Sequence, residues 1–80
     1  MKKIDITKAR AIINVRGQDI PVDTNQCTAN DIRRVAGIKQ GRTILAEGEQ
    51  GMFAMKENKM YTIPKRSKFK DSPSVRKPTM

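Results

Sequence analysis

Three groups of residues in this chain could do chemistry. Arg33, Arg34, Lys39 and Arg42 lie close enough in sequence to gather at one end of a short helix, where four cations would hold an anion. Lys65-Arg66-Ser67-Lys68-Phe69-Lys70 interleaves one aromatic ring with four cations, a composition that can hold phosphates and stack a base. Cys27 is the third, and it is the chain's single thiol.

Each group also has a simpler reading. Cations near a helix C-terminus are favoured by the helix dipole alone, so the first group can be a solvated face. The second can be a solubilising tail. Cys27 has no histidine anywhere in the chain to act as its base, which makes it a small apolar residue before a helix rather than a nucleophile. Gly37-Ile38-Lys39-Gln40-Gly41-Arg42-Thr43 echoes a phosphate loop. It has three residues between its glycines where that motif needs four, and Arg where it needs Lys. It also follows a helix and leads into a strand, so a helix C-cap and turn accounts for it. Asp19, Asp23 and Asp31 are explained by a turn, a strand end and a cap rather than by a metal. With no histidine and one cysteine, a zinc site is not expected, and no cofactor is implied. An enzyme is not expected from a chain without a base, a metal site or room for a deep cleft.

The elements that must position these residues follow from pattern. In Ala11-Ile12-Ile13-Asn14-Val15-Arg16, alternation sets Ala11, Ile13 and Val15 on one face of a strand. Gly17-Gln18 reads as a two-residue turn of type II′, and Asp19–Asp23 as the return strand with Ile20 and Val22 inward. Pro21 cannot donate to a ladder, so this strand belongs at an edge or is bulged there. Thr28 followed by Asp31 predicts an N-cap with a shortened capping box. Ile32, Val35 and Ala36 form the inward stripe, Arg33 and Arg34 fall outside it, and Gly37 ends the helix. Arg42–Ala46 predicts a third strand, and residues 47–51 a turn. Met52–Lys56 and Met60–Ile63, flanking Glu57-Asn58-Lys59, predict a second hairpin that Pro64 stops. Met52, Met55 and Met60 read as core filler.

Eighty residues make one domain, burying roughly 60% of the surface of the unfolded chain. The expected division is a basic N-terminal arm at 1–9, a domain at 10–64, and a basic, loosely held tail at 65–80 from which Phe69 can tuck onto the domain. The net charge of +9 follows this division. Residues 1–10 carry +3, residues 11–64 carry +1, and residues 65–80 carry +5. The excess therefore sits on the ends, whereas a nucleic-acid fold usually shows a basic stripe on its folded face. One unpaired cysteine fits a reducing compartment. No secretory h-region and no membrane-spanning run is present, so the expected setting is cytoplasmic, with no membrane partner.

Hairpin, one helix across, then more strands is the layout of an α+β roll of the β-grasp kind. The pattern resembles a ubiquitin-like domain, and among these the bacterial multiubiquitin-type family. The residues that carry the resemblance are the Gly-turn hairpin Ile12 to Val22, the Thr-led helix Thr28 to Gly37, and a Phe a few residues before a Pro at Phe69 to Pro73. The resemblance implies a modifier or adaptor whose partners are other proteins, ubiquitin-type ligation or deconjugation enzymes among them. The chain ends Pro78-Thr79-Met80 with no Gly-Gly and holds one copy where that family often carries tandem ones, so the expectation is a non-covalent protein-interaction module rather than a conjugated one. The alternative is a nucleic-acid-binding protein that uses its basic termini.

Overall fold

Alternation decides the first element: in β1 (Ala11–Val15), Ala11, Ile13 and Val15 are buried, while Ile12 and Asn14 face the other way. β2 (Gln18–Val22) returns antiparallel with Val15 opposite Gln18, burying Ile20 and Val22. The connecting turn is shifted by one residue from the expected Gly17-Gln18. Arg16 and Gly17 occupy its centre with φ of 54° and 82°, the two positive angles of a type I′ turn, whose twist matches the flanking strands. The structure is a computed structural model that describes residues 1–73.

Short β3 (Gln26–Cys27) leads into α1 (Ala29–Ala36). The cap is the predicted one: the Thr28 side chain accepts from the Asp31 amide, and the Asp31 carboxylate accepts from the Thr28 amide. Gly37 ends the helix at φ 71°, the left-handed conformation that a side chain would strain. Ala29 and Ile32 are buried, and Val35 and Ala36 pack on the core.

β4 (Thr43–Gly48) and β5 (Gly51–Ala54) form a second hairpin with Gly48 opposite Gly51. β4 therefore runs two residues beyond the expected Ala46. The predicted pairing of Met52–Lys56 with Met60–Ile63 does not occur. β6 (Tyr61–Thr62) pairs instead with β3, Cys27 opposite Tyr61, in a separate two-strand sheet.

The largest correction concerns the expected tail. Residues Arg66–Ser72 form β7, which lies in the middle of the main sheet, parallel to β1 and antiparallel to β4. The strand order is β2-β1-β7-β4-β5. Phe69 is 2% exposed and among the largest fully buried side chains. Its charged neighbours made the segment read as a tail, but every second residue of a strand faces outward, so one face of β7 accommodates cations while the other supplies the core. The remainder of that expected tail, 74–80, lies outside the described residues. The result is an α+β domain with one α-helix and a mixed five-strand sheet, the helix on one sheet face and the other face open.

The expected N-terminal arm is also folded in. Lys3 bridges Val22 antiparallel, Ile4 N–H donates to the Pro21 carbonyl at 3.0 Å, and Asp23 N–H donates to the Lys2 carbonyl at 3.0 Å. A 3₁₀ turn at Ile6–Lys8 then brings the chain back to β1. The outer edge of β2, the Pro21 edge, is thus covered by the protein's own first residues. No helix among the described residues is long and apolar enough to cross a membrane.

Candidate functional site

The four cations expected to gather at the helix end are dispersed into separate ion pairs. Arg33 lies outside the expected inward stripe, yet it is 5% exposed. It adjoins Ile32 on the helix, so its aliphatic stem lies along the core margin while its head finds partners at the edge. Its Nε donates to the Arg42 carbonyl at 2.9 Å, and Nη1 and Nη2 donate to the two Glu57 oxygens at 2.8 and 2.5 Å. Arg42 Nε donates to Asp71 Oδ2 at 2.6 Å. Arg34 lies 3.8 Å from Asp31 across one helical turn, and Lys39 is exposed. The site as expected does not assemble, because carboxylates distant in sequence occupy its two best donors.

The hydrogen bonds from Arg33 hold the Glu57 carboxyl below its usual range, and the same bonds raise Arg33 above its ordinary value against the opposing effect of burial. Glu57 sits in a turn with half its side chain exposed, so solvent screens the pair. Glu57→Gln is expected to lower stability by about 1 kcal/mol, read as a shift in the urea midpoint.

Asp71 is the buried hub of a second network. Arg16 Nε and Nη2 donate to its Oδ1 and Oδ2 at 2.9 and 2.6 Å, and Arg42 joins from the other side. Its side chain is 5% exposed. The Arg16 hydrogen bonds, followed by that from Arg42, hold the carboxyl far below its usual range. The network ties the β1–β2 turn and the segment before β4 to the end of β7. Cys27 is fully buried, and burial, then the charge of Asp31, pushes its thiol up to about 11. It is a protonated core residue at neutral pH.

The second expected group is brought together, in a form the sequence reading did not foresee. Arg66, Lys68 and Lys70 alternate along β7 with Ser67, Phe69 and Asp71, and all three are exposed on the open face of the sheet. Lys65 precedes them, exposed, at the end of the connection from Pro64. Phe69 points into the core and cannot stack a base. The register places Ile12 beside Arg66, Asn14 beside Lys68 and Leu45 beside Lys70 on the same face. Ile12, Asn14 and Leu45 are half-buried there. Among the described residues, the cations of β7 form no salt bridge, in contrast to Arg16, Arg33, Arg34 and Arg42.

A third feature was missed. Phe53, 43% exposed, lies 6.1 Å from Tyr61 between ring centroids, with Lys59 Nζ 5.1 Å from the Tyr61 centroid. The rings border a shallow apolar hollow of about 160 Å³ whose floor includes Ala46, Ile63 and Phe69. Of the three methionines read as filler, Met55 is buried, Met52 half-buried, and Met60 exposed near these rings. The available signal is the spacing of Tyr61 after the turn, which suggests a strand but points to Met52–Lys56 as its partner where the structure has β3. Comparison with protein families, with curated proteins and with solved structures finds no match for this chain.

Proposed function

We propose that the chain is a ubiquitin-like β-grasp module that binds other proteins non-covalently through the open face of its main sheet. The observation that carries this reading is the strand order β2-β1-β7-β4-β5, with the parallel β1–β7 pair at its centre and the single helix between the two hairpins. That arrangement covers one sheet face with the helix and leaves the other for a partner. The second route to a partner, strand addition, is closed at the β2 edge by residues 2–4. β5 keeps a short edge of four residues.

The test of non-covalent action is a denaturing, reducing blot of the protein from its native cells, probed with an antibody raised to the purified chain. A single band at the monomer mass is the expected result. A ladder of heavier bands that survives boiling and thiol would overturn it in favour of a conjugated modifier.

Nucleic-acid binding is the second reading, favoured by one observation: the cations of residues 66–70 form a row on a folded surface rather than on a tail. Its mark would be affinity that falls steeply with salt.

A further inference from the structure

We propose that the open sheet face docks an acidic, amphipathic segment of a partner protein, its carboxylates on Arg66, Lys68 and Lys70 and its aliphatic side chains against Ile12 and Leu45. This rests on the reading of the chain as a protein-interaction module, and it supplies the chemistry of the partner.

Charge complementarity is the first argument. The fold neutralises four of its guanidinium groups internally: Arg16 and Arg42 on Asp71, Arg33 on Glu57, and Arg34 near Asp31. The cations of β7 have no such partner among the described residues, and they stand on the central strand of the open face. Alternate residues of a strand are roughly 6.6–6.8 Å apart, so the row spans about 13 Å. That length suits carboxylates spaced along one short peptide segment. Beside Lys68 and Lys70, lined also by Asn14, Arg16, Gly17 and Phe69, lies a shallow, largely apolar concavity of about 220 Å³ that can seat an aliphatic side chain of the segment.

The neighbours of the row decide between partner classes. Ile12 and Leu45 flank it on β1 and β4, so the centre of the face is aliphatic as well as cationic. A protein interface has that make-up, with an apolar centre among charges. A nucleic-acid surface is more polar and more uniformly basic, and single strands are held largely by aromatic stacking. The open face carries no aromatic ring among the described residues: Phe69 is buried, and Phe53 shares the face of Ala46, which is the core side. Asp19 on β2 and Glu47 on β4 add carboxylates to either side of the row, where a phosphate backbone would meet them. An acidic protein segment can place its aliphatic residues there instead.

The experiment selects random peptides displayed on phage against the intact protein, then titrates an enriched peptide into nitrogen-labelled protein and follows amide shifts. A labelled DNA duplex is titrated in parallel. The expected peptides combine Asp or Glu with Leu, Ile or Val, and shift the amides of Ile12, Asn14, Leu45, Arg66, Lys68 and Lys70. Lys68→Glu, a change at an exposed side chain, should weaken binding about tenfold at low salt, while Lys8→Glu leaves it unchanged. Leu45→Ser should weaken it with the charges intact. Peptides without acidic residues that still shift the open face would overturn this docking and leave the open-face module standing. Peptides that shift Gly51–Ala54 and Tyr61 instead would overturn the docking and the choice of face together. Enrichment of no peptide at all, or a DNA duplex bound to the row more tightly than any selected peptide, would overturn both the docking and the module.

Discussion

Removal of everything after Pro64 is expected to leave an unfolded chain. The cut takes away β7, the strand that joins the β1–β2 hairpin to β4 and β5, and no hydrogen-bonded pairing then connects the two halves of the sheet. It also removes Phe69, which fills the core beside Val15 and Ala46. The single substitution Phe69→Ala tests the same idea more finely. Truncating a buried Phe costs about 3–5 kcal/mol, a large part of the stability of a domain this small. The truncated chain should give a random-coil circular dichroism spectrum, and Phe69→Ala a midpoint shifted far down or lost. A truncated protein that melts cooperatively near the wild-type temperature would show that β7 is dispensable.

Asp71→Asn should be the most damaging polar substitution. The variant keeps the shape but loses the charge that two guanidinium groups share, and its amide turns a donor toward them. Hydrogen bonds to charged groups contribute more than neutral ones, so a loss of about 1–3 kcal/mol is expected. The sign of the pH dependence follows from the depressed carboxyl. Its folded pKa lies below the unfolded value of about 3.9, so its stabilisation is complete above that value and is lost as pH falls through the folded pKa. Urea unfolding should therefore show a constant gap between wild type and variant from neutral pH down to about pH 5, narrowing as pH drops below about 4. A gap that stays constant into strong acid, or no gap at neutral pH, would remove Asp71 from this role.

Sequence and structure divide along the range of the interactions. Thr28, Asp31 and Gly37 were legible because a capping box and a left-handed C-terminus are satisfied within a few residues. The inward faces of β1 and β2 were legible because alternation is a local period. The turn between them was misplaced by one residue, since Arg16 holds a positive φ while its head is fixed by Asp71, 55 positions away. The expected Met52–Ile63 hairpin failed for the same kind of reason: short strands choose partners by the core they share, and β6 found β3.

The candidate site shows the division most clearly. By itself the sequence determined one helix and its caps, the buried faces of the first hairpin, and the cations of residues 65–70 around Phe69. Only the tertiary structure decided that those cations stand in a row on the central strand, that Arg33 and Arg42 are held by Glu57 and Asp71, and that the N-terminal residues cover the β2 edge. The physical reason is that caps, turns and periodicity are energies of neighbours along the chain. Strand order and ion pairing are instead settled by which distant segments can bury Phe69 and satisfy their charges together.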